Sequence, residues 1–257
     1  MSYLRDQVII LKKIPYREYD RQYILYGRAH GLLMAVARGT LKIQAKQSGS
    51  LEPFSRADVM IAKGKAFDHL AVAMPVAPHF ELSKLGAFAA AGAFADLCLK
   101  LIQPGIADER IYKLWEDYLE CLSSLPQDLT ALRSQLIFAT ASLKFMDILG
   151  YGPTLGSCTS CRSVASLADA VYWAQGNGLI CYNCRTALDS AQNFMRLPEN
   201  SLNLLKLMRL SPFSDLLRIS VPVDDLRHSL AIMRQVWSHA PLYREPHGLV
   251  TIEKMLG

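Results

Sequence analysis

Four cysteines carry the most specific chemistry in this chain. Cys158 and Cys161 form one C-x-x-C knuckle, Cys181 and Cys184 form a second, and 19 residues separate the two pairs. Each knuckle can hold two thiolates on one tight turn, and two such turns complete a tetrahedron around zinc with Zn–S bonds of about 2.3 Å. Four sulfurs leave no open coordination position, so a single zinc ion here is architectural and neither activates water nor polarises a substrate.

Two disulfides are a competing reading of the same residues. Against it, the N-terminal Met1-Ser2-Tyr3-Leu4-Arg5-Asp6 has no apolar core of a secretory signal, so the chain is expected in the cytoplasm, where thiols stay reduced. A redox pair would come singly, at the start of a helix in a βαβ unit. Here Val171 to Ala174, the turn Gln175-Gly176-Asn177-Gly178 and Leu179 to Cys181 form a small hairpin that delivers the second knuckle.

Catalytic signatures are missing: there is no G-x-x-x-x-G-K-[ST], no G-x-G-x-x-G and no G-x-S-x-G. His79-Phe80-Glu81 matches the H-x-E of zinc deaminases. The match fails in context, because Ser157 stands where a proline should precede the first knuckle and four cysteines leave His79 no place on the metal. No catalytic residue is assigned, and a zinc hydrolase or deaminase is the weakest functional class.

The charge distribution points elsewhere. Residues 1–80 carry twelve Lys and Arg against six Asp and Glu, whereas residues 81–257 carry sixteen against seventeen, so the net +5 resides in the first third. Localised positive charge suits a polyanion. Lys12, Lys13, Arg17 and Arg21 are interleaved with Tyr16, Tyr19, Tyr23 and Tyr26, and Arg38, Lys42 and Lys46 recur every four residues in a glycine-flanked connection. Cations that track phosphates and aromatics on which bases stack are what a single-strand groove needs. The candidate DNA-binding residues are Lys12, Arg17, Arg21, Arg28, Arg38, Lys42 and Lys46.

The elements that must position these groups divide the chain near residue 80. Up to that point short apolar runs alternate with Pro15, Gly31, Gly39, Gly49 and Gly64, giving strands at Gln7 to Leu11, Gln22 to Gly27, Leu32 to Val36, Ala57 to Ile61 and Leu70 to Val76. Five such strands fit a small barrel of the oligonucleotide-binding (OB) kind. From Glu81 the period becomes helical, with stripes at Phe88, Ala91, Phe94, Ala95 and Cys98, at Ile111, Leu114, Trp115, Tyr118, Leu119 and Leu122, and at Leu132, Leu136, Ala139, Leu143, Met146 and Leu149. Gly150 to Pro153 ends the third helix, and further helices follow at Ser201 to Leu210 and at Asp225 to Trp237, the latter with Asp224 as N-cap. Ser211 to Val223 is expected to be a connection with a short extended stretch. The fold class is therefore α+β: a five-stranded OB-fold barrel over 1–80, then an α-helical domain over 81–257 with a four-cysteine zinc module embedded at 150–190. The longest small apolar run, Leu85 to Ala95, is too short to span a membrane.

At the level of motifs the chain resembles the RecO family of bacterial recombination mediators. The resemblance rests on Val8-Ile9-Ile10-Leu11-Lys12, on Tyr16-Arg17-Glu18-Tyr19-Asp20, on His30-Gly31-Leu32-Leu33-Met34-Ala35-Val36-Ala37-Arg38-Gly39, on Leu51-Glu52-Pro53-Phe54, and on Leu149-Gly150-Tyr151-Gly152-Pro153 leading into the two knuckles. Arg162 and Arg185 follow the knuckles where the family often has glycine or another small residue. The resemblance implies an OB-fold followed by a helical domain with a zinc module. It further implies a non-enzymatic protein of the bacterial cytoplasm and nucleoid that binds single- and double-stranded DNA, anneals complementary strands, and works with RecR to load RecA onto strands coated by SSB. It also implies that the acidic, apolar-ended SSB tail docks on the helical domain, with Arg196, Lys206, Arg209 and Arg218 as rim candidates. A zinc-containing transcription regulator or RNA-binding protein is the alternative, and a marked preference for one duplex sequence would distinguish it.

Overall fold

Alternating inward and outward side chains close the first five strands into a barrel. They are β1 (Tyr3–Pro15), β2 (Arg21–Gly27), β3 (Gly31–Ala37), β4 (Arg56–Ala62) and β5 (His69–Pro75), and they close in the order β1-β2-β3-β5-β4. The structure is a computed structural model that describes residues 2–38, 51–77, 80, 82, 85–126, 131–164, 169–188 and 192–240. All strand pairs are antiparallel except β3 with β5, which meet in parallel at Val36 and His69. The barrel interior holds Val8, Ile10, Tyr23, Leu25, Ala35, Ala37, Ala57, Val59, Ile61, Leu70 and Ala73. β1 is buried continuously from Val8 to Leu11 and breaks the period of two, because α1 (Leu85–Leu101) packs against it.

The chain gathers into two compact units. The first holds the barrel together with α1 and α2 (Glu109–Ser124), so the change of period after residue 80 lies inside it. Asp108 caps α2, its carboxylate accepting from the Arg110 N–H at 2.9 Å. The expected stripe from Ile111 to Leu122 is buried, and Trp115 lies parallel to Phe54, with ring centroids 6.4 Å apart, so the segment before β4 is held by α2. Cys98 and Cys121 are buried among these apolar side chains, and burial pushes both thiols up, Cys121 to about 12.

The second unit is built on α3 (Ala131–Ile148), which is buried on every side from Ser134 to Leu143. A one-sided stripe is therefore too narrow a description of this helix. Two of its buried hydroxyls are satisfied within the helix: Thr140 donates to the Leu136 carbonyl and Ser142 to that of Phe138, each at 2.8 Å. Gly150 has a φ of +82°, the left-handed conformation expected where the helix stops. A small module with three short strands and the short α4 (Tyr182–Thr186) comes next, and then α5 (Glu199–Leu210), the single-turn α6 (Phe213–Leu216) and α7 (Val223–Ser238). Two expectations are corrected here. The connection after Ser211 carries the short helix α6 and no strand, and α7 starts at Val223 behind Pro222, so Asp224 lies within its first turn and pairs with Arg227 instead of capping. The fixed φ of proline suits the entry into a helix, where a missing N–H costs nothing.

Candidate metal centre and nucleic-acid surface

The cysteine knuckles are brought together by β6 (Val171–Trp173), β7 (Gly178–Ile180) and α4. β6 and β7 form the expected hairpin, and β8 (Phe194–Met195) adds a third strand on β6 that the periodicity did not announce. Gly178 lets the first knuckle's loop lie against β7, since a Cβ there would meet the Thr154 carbonyl at 2.7 Å. The Leu179 carbonyl accepts from the Thr159 N–H at 2.8 Å, which docks the Cys158 to Cys161 turn on the same strand.

All four sulfurs lie within 4.8 Å of one another. A tetrahedral zinc with bonds of about 2.3 Å separates its sulfurs by about 3.8 Å, and Cys161 Sγ stands 3.9 Å from Cys181 Sγ. Cys158 and Cys181 are buried, Cys184 is half-buried and Cys161 is exposed. Burial alone would raise the Cys158 thiol, but N–H donors of Cys181, Cys161 and Ser160 bring it down to about 6; hydrogen bonding with Cys181 and its neighbours pushes Cys184 up to about 12. The cluster thus favours a thiolate at Cys158 and a protonated thiol at Cys184, and a dication is what would release the remaining protons. Arg162 closes the first knuckle with its N–H on the Cys158 carbonyl at 2.9 Å and a φ of +60°, the conformation in which glycine is easiest.

At one end of the barrel two turns face each other. The β1–β2 turn is tied by the Tyr16 N–H to the Asp20 carbonyl at 3.1 Å, and the β4–β5 turn by the Asp68 carboxylate, which accepts from Lys63 Nζ at 2.7 Å and from the Gly64 N–H at 3.3 Å. Tyr16 and Phe67 join them edge to face, their centroids 5.4 Å apart, and the Arg17 guanidinium covers Tyr16 at 5.2 Å. Between the turns lies a cavity of about 260 Å³ lined by both turns, Val36, Arg38 and His69. The Arg38 guanidinium stands 3.5 Å from His69 Nε2.

The candidate cations separate into distinct groups. Arg17 and Arg38 meet at this cavity, and Arg21 lies at the start of β2 opposite Ala37. Lys12 instead reaches Asp96 of α1 at 3.5 Å, and Arg28 donates to Glu109 of α2 at 3.0 Å through Nε. Lys42 and Lys46 lie outside the described residues, as does His79. Of the rim candidates on the second unit, Arg196 and Arg218 are exposed and Lys206 half-buried, while Arg209 grips Asp147 with two donors at 2.7 and 2.8 Å and the Pro153 carbonyl with another.

Comparison with known proteins places these features in a family. The family model described as Recombination protein O N terminal matches residues 1–79, and that described as Recombination protein O C terminal matches residues 82–239. The chain belongs to the RecO family. A relative from Rubrobacter xylanophilus, named DNA repair protein RecO, is 26% identical over 242 residues, covering 94% of each chain. A RecO from Desulforudis audaxviator is 27% identical over 265 residues, covering 99% of this chain and 98% of its own, and one from Thermoanaerobacter is 26% identical over 224 residues, 86% of each.

Against this RecO background, the barrel with a following helical region and a four-cysteine cluster is the α+β, OB-fold architecture expected from the sequence. Lys65, Phe67 and His69 join the barrel-end cavity without having been singled out in the sequence. One signal was available: Gly64-Lys65-Ala66-Phe67-Asp68 is a glycine-led turn with an aromatic beside its tip.

Proposed function

We propose that this RecO-family protein is a non-enzymatic mediator of recombinational DNA repair. It holds single- and double-stranded DNA, anneals complementary strands and, with RecR, helps load RecA onto SSB-coated strands in the bacterial cytoplasm and nucleoid. Family membership supports the repair role. The observation that carries DNA binding is the barrel-end cavity, where Arg17, Arg38 and Lys65 gather beside Tyr16 and Phe67, cations and aromatics together being what a single strand requires. The DNA surface is read as the barrel and its basic connection within residues 1–80, with Lys12, Arg17, Arg21, Arg28, Arg38, Lys42 and Lys46 as its cations.

The four cysteines hold one structural Zn²⁺, and their sulfurs fill its coordination, which supports a role without catalysis. On the helical part, α5 exposes Leu207 and Leu210 on the stretch that carries Lys206; an acidic tail with an apolar end, as in SSB, is complementary to that combination. No helix of the described residues is long and apolar enough to cross a membrane.

The test is annealing of complementary oligonucleotides precoated with SSB, with and without RecR. The proposal expects the protein to accelerate annealing and RecR to promote RecA filament formation. If the protein neither binds single strands nor speeds annealing, the proposal fails.

A further inference from the structure

We propose that the cavity between the β1–β2 and β4–β5 turns takes one unstacked nucleotide of a single strand, its base on the Phe67 ring and its flanking phosphates on Arg17, Arg38 and Lys65. This rests on the DNA-binding reading above and adds to it a mode: the protein distinguishes single strand from duplex by capturing a base face.

The platform is built in advance. Phe67 flanks the tip of its turn with 44% of its surface exposed, and Tyr16 braces it from the opposite turn in a T-shaped contact. The Arg17 guanidinium lies over the Tyr16 ring, 5.2 Å from its centroid, so the bracing ring has a contact of its own. Below the tip, the Asp68 carboxylate clamps Lys63 and the Gly64 N–H. The chain doubles back so closely that a Cβ on Gly64 would lie 1.9 Å from the Phe67 carbonyl oxygen. An aromatic whose position is settled before binding costs little to order when a base arrives.

Charge around the ring matches a short piece of backbone. Among the described residues, Arg17, Arg38 and Lys65 stand outside the ion pairs of the first unit, whereas Lys12, Lys13, Arg28 and Lys63 are engaged in them. Asp20 also lines the cavity and offsets one of these three charges, leaving a surplus of two, suited to the phosphates on either side of one base. A cavity of about 260 Å³ is below the usual range for drug-sized ligands, roughly 300–1,000 Å³. A paired base offers only its edges to the grooves, so the face of a base reaches Phe67 only from a strand that is unpaired at that point.

The experiment uses the full chain with oligonucleotides carrying a single 2-aminopurine, as single strands and as duplexes, across a salt series, comparing the parent with Phe67→Ala, Phe67→Tyr and Arg38→Ala. Stacking on an aromatic is worth about 1–3 kcal/mol per base, so Phe67→Ala is expected to weaken single-strand binding about tenfold more than duplex binding, with the salt slope unchanged. Phe67→Tyr restores the affinity, Arg38→Ala flattens the slope, and the 2-aminopurine emission that changes on binding the parent loses that change in Phe67→Ala. Equal weakening of single strand and duplex by Phe67→Ala, or an unaltered 2-aminopurine response, overturns the inference while leaving DNA binding in place. Binding of an acidic peptide at this cavity in place of DNA overturns it in favour of a protein partner, and failure of the parent to bind any DNA overturns the underlying reading instead.

Discussion

Arg56 of β4 donates to Glu116 of α2 across 2.6 Å, and its other terminal nitrogen reaches the Ala77 carbonyl at 2.9 Å. One guanidinium thereby joins a barrel strand, the first helical pair and the chain between them. The ion pair is largely shielded, its side chains 12% and 21% exposed. Removing one partner of a buried pair strands the other charge, a loss of about 3 kcal/mol. Arg56→Ala is expected to lower the unfolding free energy in urea by that amount, and the double variant Arg56→Met with Glu116→Leu to recover much of it. Identical urea midpoints for the parent and Arg56→Ala would show that the pair contributes nothing.

The metal centre is expected to hold one Zn²⁺ per chain in an all-sulfur shell. Elemental analysis and X-ray absorption check this directly, and a nitrogen or oxygen ligand would contradict it. Cys181→Ser should destabilise the module heavily, since coupled folding and binding of zinc in small peptides is worth roughly 10–16 kcal/mol.

Metal affinity should rise with pH. Backbone N–H donors draw the Cys158 thiol down while hydrogen bonding with Cys181 pushes the Cys184 thiol up, so the metal-free cluster still holds protons at neutral pH that binding must expel. Chelator competition between pH 6 and 8 is the measurement. A flat profile would mean that the bound state keeps those protons.

Phosphate contacts should show in salt dependence. Replacing Arg17, Arg38 and Lys65 together by alanine is expected to reduce the log–log slope for single strands by about 1.4, at roughly 0.7 for each of the two phosphates flanking the base. Arg28→Ala should change it less, because Glu109 already holds that charge. The reverse ranking would move the DNA path toward α2.

Two glycines should respond oppositely to alanine. Gly31 has a φ of +64°, and a Cβ there would lie 2.1 Å from the Ile106 carbonyl oxygen, so Gly31→Ala is expected to cost about 2 kcal/mol or more. Gly92 lies within α1 with nothing within 4 Å of the added Cβ, and Gly92→Ala should gain roughly 0.5–1 kcal/mol. Chemical denaturation of both variants decides.

Alkaline instability should trace to the first unit's tyrosines. Burial is the main force that pushes Tyr26 and Tyr112 up to about 12, from an ordinary value of about 10. The folded state therefore favours the protonated phenols. Their contribution is complete below pH 10 and is lost as pH climbs toward 12, where the unfolded chain ionises first. Urea midpoints across pH 8–12 should fall in that window, and less steeply for Tyr26→Phe.

Local chemistry was legible in the residues themselves. The four-cysteine cluster is recognisable because a C-x-x-C pair and a glycine-containing hairpin are set by neighbours a few positions apart, and the five strands and the α2 stripe follow from periods of two and 3.6. The left-handed glycine after α3 is equally local. Other features depend on segments far apart in the chain. Sequence spacing alone could not tell Arg28 and Lys12, held by acidic residues 81 and 84 positions away, from Arg38, which stands beside a histidine. Lys65 and Phe67 become part of a site with Tyr16 and Arg17 only because barrel closure brings two turns together. The all-round burial of α3 likewise depends on which helices pack around it. Coulomb attraction, ring contact and burial all act through space at a few ångströms, and the partners at that range are chosen by the fold.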